Sequence, residues 1–469
     1  MSYLSNQNPM FRSKFSEDIF QQKYAHEGCE TWFDLATVIV QDVVRSNLSD
    51  IDKGRLVQYI RDLKFIPGGR YLYYAGRKNK FFNNCFLLKS EEDNREDWAE
   101  LSKKVELCLS TGGGIGVDYS IYRPSGSILH GTGGVASGPL PKMQMVNEQG
   151  RGLMQGGSRR SAIYASLNHK HEDIIPFIHM KDWYGMPVGT TGASIGEVKE
   201  QDFNFPAPMD YTNISVNYDT EWVENYWENG DVGEVFKRNV RQALSTGEPG
   251  FSFNFWDKEK ETLRNACTEV TSEDDSDVCN LGSINIGRVD SITEFKDIVE
   301  LGTKFLMCGT LVAKLPYKKV EDVREKNRRL GLGIMGIHEW LIKKGSNYEV
   351  TPELHRWLSV YRSVSDSTSK SYADSLGVSR PVANRAIAPT GSIGILAGTT
   401  TGIEPLFAAA YKRRYLKAGK WKYQYVVDSV AQEMLREYGT DPDTLDTALT
   451  LANDPERRIK FQADIQDYV

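Results

Sequence analysis

The chain has 469 residues, 40% hydrophobic and 26% charged, with 57 Lys and Arg against 63 Asp and Glu for a formal net charge of −6. This is the composition of an ordinary globular protein, and it lacks the broad basic field that stable binding to a DNA or RNA backbone requires. The length exceeds a usual single core, but a large α/β barrel with a helical appendage holds such a length as one functional unit.

The opening segment "MSYLSNQNPMFRSKF" lacks the apolar core of a signal peptide, and no later run approaches the roughly 18 apolar residues of a membrane span. Six cysteines show neither CxxC nor a paired metal spacing. The expected setting is therefore a reducing cytoplasm, with no membrane and no nucleic-acid partner, and no zinc site is indicated. Residues 1–64 read as supporting helices, since "ETWFDLATVIVQDVV" and "DKGRLVQYIRDL" repeat apolar residues at helical spacing. "FIPGGRYLYYAG" marks a glycine-rich turn into a main domain over 65–469. Its neighbours Tyr73 and Tyr74 read as packing residues.

"FFNNCFLL" places Cys85 in a strand-like run, and a helix follows, expected to start at Ser90 with Asp93 completing a capping box and to run to Leu109. It ends in "STGGGIGVDYS". The order helix, glycines, strand reverses the dinucleotide-binding fingerprint, so Gly112, Gly113, Gly114 and Gly116 are read as allowing a tight connection and close backbone approach. Residues 123–161 are rich in glycine and serine, with basic residues at both ends and a short amphipathic piece between. Two readings stand: a pair of surface loops, or a nucleotide cradle in which backbone N–H groups and Arg159 or Arg160 take phosphates.

From about 162 to 330, strand-like runs ("SAIYASL", "NISVNY", "GFSFNF", "GSINI") alternate with helical stretches at 232–245 and 292–314, which predicts an α/β architecture. Within it lies "NACTEVTSEDDSDVCNLGSIN", residues 265–285. Asn265, Cys267 and Glu269 sit at i, i+2 and i+4, so an extended backbone would send a hydrogen bonder, a thiol and a base from one face. Cys279 opens the strand-like "CNLGSIN". A lone cysteine in an apolar run is usually a small buried hydrophobe, and Cys85, Cys108 and Cys308 carry that reading too. Cys267 differs, because Asn265, Thr268 and Glu269 rarely line a core unpaired.

"NRRLGLGIMGIHEWLI" continues the strand and helix alternation. In "RAIAPTGSIGILAGTTTGIEPLF", apolar residues lead into Thr390, Gly391, Ser392 and Ile393, where a helix N-terminus with two hydroxyls makes an anion site. No Walker lysine is present in it.

The runs "NNC", "NACTE", "CNLGSIN", "RRLGLGIMG", "APTGSIG" and "TTTGIEPLF" occur in the order found in the catalytic subunit of ribonucleotide reductases, in the branch shared by the aerobic and adenosylcobalamin-dependent enzymes. The chain resembles that family from about residue 60 to its end. The resemblance implies a ten-stranded α/β barrel of two antiparallel halves with a central finger loop, preceded by the small helical N-terminal region. It implies that Cys267 becomes the thiyl radical, that Glu269 is the base for the 3′-hydroxyl, and that Asn265 holds the sugar. Cys85 and Cys279 match the dithiol that ends as a disulfide. Asn84 is similar to a sugar-contacting residue, Thr390, Gly391, Ser392 and Ile393 to the substrate phosphate loop, and Arg159 and Arg160 to the specificity-effector loops.

The implied partners are a ribonucleoside di- or triphosphate, a dNTP or ATP effector linked to a homodimer, and a thioredoxin-like dithiol reductant. The radical source is left open between adenosylcobalamin and a separate metal-containing radical subunit. Relatives continue past the point matching Val469 into further strands, relay tyrosines and a cysteine tail, so the barrel is expected to be incomplete at this C-terminus. A second reading keeps the barrel as a non-catalytic nucleotide-binding subunit.

Overall fold

The structure is a computed structural model and describes residues 11–131, 133–153, 161–190, 192–417 and 420–469. Its strands, in chain order, are β1 (Phe65–Pro67), β2 (Cys85–Leu88), β3 (Gly114–Asp118), β4 (Ile163–Asn168), β5 (Thr212–Tyr218), β6 (Gly250–Phe253), β7 (Leu263–Arg264), β8 (Thr271–Ser272), β9 (Asp277–Asn285), β10 (Leu330–Met335), β11 (Ala410–Lys417) and β12 (Lys420–Val427). The chain divides into two compact units. The first holds residues 1–84, 279–315 and 324–469, and the second holds 85–278 and 316–323.

In the first unit, the helix Trp32–Val44 starts with a reciprocal cap between Thr31 and Asp34. It buries Trp32, Leu35, Ala36, Ile39, Val40, Val43 and Val44, a stripe at spacings of three and four. Trp32 donates its indole N–H to the Ile60 carbonyl at 3.0 Å, so its polar atom is satisfied inside the core. The same core takes in the helix Ile292–Val312, the helix Pro352–Leu376 and the sheet built on β9. All nine residues of β9 are buried. It pairs antiparallel with β1, Phe65 opposite Ile284, and parallel with β10, from Leu330 opposite Asn280 to Met335 opposite Asn285. Each fully buried Leu, Ile or Val contributes roughly 1.5–3 kcal/mol, so this core fixes where β9 presents its alternate residues.

In the second unit, β2, β3, β4, β5 and β6 form a parallel sheet in sequential order. Helices fill the crossovers: Arg95–Ser110, Pro139–Gly152, Ile174–His179 and the pair Thr220–Asn229 and Gly233–Thr246. Crossovers of one hand in sequential order put the helices on one face of a sheet. The residues divide accordingly. Phe86, Ile115, Val117, Ile163, Ala165, Leu167, Ile214 and Val216 point to one face, and Cys85, Gly114, Gly116, Asp118, Ser166, Asn213, Asn217 and Ser252 to the other. Parallel strands are normally apolar on both faces. A second face on which small and polar residues predominate, with Leu87 and Tyr164 among them, is therefore a built feature.

The expected strand and helix alternation from 162 to 330 is present. The helix after Cys85 differs in its start. Asn94, not Ser90, caps it by accepting from the Asp97 N–H, Ser90 pairs with the Tyr122 hydroxyl at 2.5 Å, and Asp93 binds Arg123. Asn94 reaches the N3 amide directly, which leaves the earlier pair to fasten the loop. Among the described residues, no helix is long and apolar enough to cross a membrane.

Candidate active site

The polar face of the second unit carries a small hairpin, β7 paired antiparallel with β8, Leu263 opposite Ser272 and Arg264 opposite Thr271. Its seat is set by glycine. A Cβ on Gly116 would lie 1.7 Å from the Arg264 carbonyl oxygen, and one on Gly114 would lie 2.9 Å from the Ala266 Cβ. The "GGGIG" run thus lets the hairpin backbone rest directly on β3, the close approach expected of it.

Side chains then fasten it. Arg264 donates to Ser252 Oγ at 2.6 Å, the Phe253 carbonyl at 3.1 Å and Asn254 Oδ1 at 3.0 Å, all at β6. Asn213 on β5 donates to the Ala266 carbonyl at 3.2 Å, and Thr262 donates to Asp118 Oδ2 on β3 at 2.6 Å. The loop that follows β8 is held by Asp275, which accepts from the Lys89 N–H, from buried Lys104 at 2.8 Å and from Lys319 at 2.7 Å.

At the hairpin tip, the backbone is a turn and not the extended run the i, i+2, i+4 spacing suggested. The Thr268 N–H bonds the Asn265 carbonyl at 3.0 Å, and Thr268 takes a positive φ of 68°. The turn still brings Asn265 and Glu269 together, because it folds the chain back where alternation would have carried it on. Buried Asn265 donates from Nδ2 to Glu269 Oε2 at 2.7 Å and to Cys85 Sγ at 3.0 Å, while its Oδ1 accepts the Val270 N–H at 3.0 Å. The Cys85 thiol lies 3.8 Å from Glu269 Oε1 and closes the triangle. Cys267 projects at the exposed end of the turn.

Glu269 keeps part of its surface open, yet desolvation of its carboxyl raises its pKa above the usual carboxylate value, against the lowering effect of Asn265, its own backbone and Cys85. A carboxyl shifted upward is closer to the protonation balance an acid–base catalyst needs. Among the described residues, no group of three or more His, Cys, Asp or Glu could hold a metal ion.

The first unit carries the other predicted positions. Cys279 is fully buried on β9, next to Gly331 of β10, where a Cβ would lie 3.0 Å from its sulfur. The Asn84 N–H donates to the Cys279 carbonyl at 3.3 Å, so these two are neighbours. Thr390 takes a φ of 48° before the short helix Gly391–Ala397, and its Oγ1 accepts the Gly402 N–H at 2.8 Å. Ser392 Oγ accepts from Lys23 Nζ at 3.2 Å, while Ile393 is buried. Arg159 and Arg160 lie outside the described residues.

Sequence reasoning missed Arg264, Asn213 and Lys23. Arg264 had a signal, a cation directly before an informative run. Asn213 and Lys23 had none, because only the fold brings them to residues 53 and 369 positions away.

The sequence model of the ribonucleotide reductase barrel domain matches residues 83–191, 209–357 and 380–468. The vitamin B12-dependent ribonucleoside-diphosphate reductase of Thermoplasma acidophilum is 30% identical over 416 residues, 82% of this chain and 53% of that protein. The protein of the same description from Mycobacterium tuberculosis is 26% identical over 471 residues, 88% of this chain and 66% of that protein. The chain thus spans about half to two thirds of the length of these curated relatives. Among solved structures, the class Id ribonucleotide reductase alpha subunit of Actinobacillus ureae aligns with a TM-score of 0.71 at 17% identity, covering 94% of this chain and 82% of that one, a likeness of fold.

Proposed function

We propose, from the premise that this chain belongs to the ribonucleotide reductase family, that it carries the catalytic chemistry of reducing ribonucleotides to 2′-deoxyribonucleotides. The observation that carries the reading is the triangle of Asn265, Glu269 and Cys85 at the tip of a fastened hairpin whose turn also bears Cys267. A binding protein has no need of a raised-pKa carboxyl between two thiol-bearing segments. In this reading the hairpin is the finger loop of a ten-stranded barrel.

Cys267, as a thiyl radical, takes the 3′-hydrogen of the ribose. Glu269 receives the 3′-hydroxyl proton, and Asn265, whose amide already donates toward Glu269, holds that edge of the sugar. The 2′-hydroxyl then leaves as water. Cys85 and Cys279 supply the two electrons and two protons this requires and end as a disulfide, after which Glu269 returns its proton to the 3′-oxygen and the 3′-hydrogen returns from Cys267. Thiols suit both roles, as hydrogen donor and as dithiol reductant. One positioned carboxylate contributes about 10²–10⁴-fold. Asn84 beside Cys279 contacts the sugar, and Thr390, Gly391, Ser392 and Ile393 take the substrate phosphates, with Lys23 adding charge next to Ser392.

Cys267 must be oxidised from outside its own surroundings, and its exposed position on the turn fits that need. Adenosylcobalamin or a separate metal-containing radical subunit would supply that one-electron oxidation; the similar proteins include a B12-dependent reductase and, by fold, a class Id alpha subunit. Arg159 and Arg160 would read a dNTP or ATP effector in a homodimer, and a thioredoxin-like protein would restore the dithiol in the cytoplasm.

The test is deoxynucleotide formation from a ribonucleotide in the presence of a dithiol, with added adenosylcobalamin compared with an added radical subunit. Activity with one of them, lost in Cys267→Ser while nucleotide binding is kept, is the expected result. Turnover that survives Cys267→Ser would overturn the radical assignment. Nucleotide binding without turnover under either condition would leave a non-catalytic subunit of the same fold.

A further inference from the structure

The ribbon of β11 and β12 has no part in the site above. Between Glu404 and Asp428 the sequence holds six cations, Lys412, Arg413, Arg414, Lys417, Lys420 and Lys422, and no carboxylate, in a chain whose formal net charge is −6. Many of the described cations sit in ion pairs, as Lys104, Arg151 and Lys319 do. Lys412, Arg413, Arg414 and Lys422 do not, among the described residues. Three of them lie over rings instead: Lys412 is 4.8 Å from the Tyr423 ring centre, Arg414 is 4.2 Å from that of Trp421, and Arg413 is 4.9 Å from that of Phe15.

The register sorts these residues into faces. Lys412 opposes Tyr425, and Arg414 opposes Tyr423, so all four stand on one side. That side is open to solvent: Tyr423 is 59% exposed and Tyr425 82%. The opposite side, with Tyr411, Arg413 and Tyr415, is half-buried. Among the described residues β11 and β12 pair only with each other, so each keeps an outer edge. An exposed edge is normally blunted, because its backbone donors and acceptors invite another strand.

We propose that the outer edge of β12, with Lys412, Arg414, Tyr423 and Tyr425 beside it, docks an extended acidic segment of a protein partner as an added strand. Carboxylates at every second residue of that segment share the face of Lys412 and Arg414 beside the Tyr423 and Tyr425 rings, and its alternate apolar residues turn to the other face of the ribbon. The backbone edge decides between two polyanions. A peptide strand continues the hydrogen-bond ladder, whereas a nucleic acid has no matching ladder and brings a phosphate with every nucleotide toward an acidic protein.

The experiment measures fluorescence anisotropy of labelled probes with the full chain. The probe is an alternating Glu–Val peptide of about ten residues, near the upper length of an ordinary strand. Its comparators are the Lys–Val peptide, the Glu–Val peptide N-methylated at every second residue, and an oligothymidine of matching length. Binding of the acidic peptide alone is expected, weakened about tenfold in the Lys412→Glu, Arg414→Glu variant and weakened again as salt rises from about 0.05 to about 0.3 M. Equal binding of the N-methylated peptide would overturn the added strand. Preference for oligothymidine, no binding of the acidic peptide, or binding unchanged by charge reversal would overturn the acidic-segment assignment. Should charge reversal lower the thermal midpoint, Tyr425→Ala replaces it, with the same expected loss of affinity.

Discussion

Two hairpins of this protein show opposite solutions to one problem. The short ladder of β7 and β8 cannot hold itself, so its surroundings hold it: a glycine floor below, Arg264, Asn213 and Thr262 at its sides, and Asp275 behind. The ribbon of β11 and β12 has eight residues a strand and holds itself by its own ladder. It leaves its cations and rings facing water. Precision of placement in the first comes from contacts outside the hairpin, which is what the proposed catalytic role of its tip needs. In the second, Lys412, Arg414, Tyr423 and Tyr425 make no ion pair or hydrogen bond beyond the ribbon among the described residues, which leaves that face available to a partner.

The sharpest way to break the comparison is at the floor. Gly116→Ala puts a methyl group 1.7 Å from the Arg264 carbonyl oxygen, a backbone atom that cannot swing aside. The hairpin must lift, at a cost of about 3 kcal/mol or more. Chemical denaturation should report that loss, and deoxynucleotide formation should fall with it. Gly54→Ala is the matched control: a Cβ there meets nothing within 4 Å, and it lies inside the helix Asp50–Arg61, so it should gain about 0.5–1 kcal/mol.

Next comes the anchor behind the hairpin. Burial works to raise the Asp275 pKa, and Lys104 together with Lys319 outweighs it, so the folded value lies below the usual carboxylate range. Its contribution to stability is present above the unfolded pKa and lost as pH falls through the folded one. Asp275→Ala leaves Lys104 buried without its carboxylate and should cost about 3 kcal/mol near neutral pH. The loss should shrink toward acid, as urea titrations at successive pH values would show.

The tip comes third and carries the opposite sign. The Glu269 pKa is raised, chiefly by burial, so its contribution is present below the unfolded value and lost as pH rises through the folded one. Glu269→Gln should flatten that part of the stability profile. Asn265→Ala removes a donor to Glu269 and the acceptor of the Val270 N–H. It should cost about 1–3 kcal/mol and raise the Glu269 pKa further, visible as a displaced carboxyl signal by NMR.

Much of this was legible before any coordinates. Strand periodicity placed Cys85 and Cys279, and the glycines of "GGGIG" signalled close approach, because each rests on local pattern. The spacing of Asn265, Cys267 and Glu269 suggested a shared face, and the structure brings Asn265 and Glu269 together through a different backbone, a turn. Period-two spacing brings side chains to one face only in a strand, and a positive φ at Thr268 has no signature in a β-branched residue. The seat of the hairpin was not legible either. Arg264 meets Ser252 and Asn254 only after β6 has joined the sheet, and no spacing rule reports a contact that depends on crossovers.

The smallest effect belongs to the ribbon, and there the comparison is most exposed. Lys412 lies on an open face, its partner is a solvated ring, and an exposed cation–π contact is worth about 0.5–1 kcal/mol. Replacing it with Glu also relieves repulsion among the ribbon's cations, which offsets part of that loss. Lys412→Glu should therefore change stability by no more than about 0.5 kcal/mol in either direction, measured in the same denaturation series as Gly116→Ala. A loss as large as the glycine's would mean that the ribbon, like the hairpin, is held by contacts beyond its own ladder, and that its exposed face does not stand free for a partner.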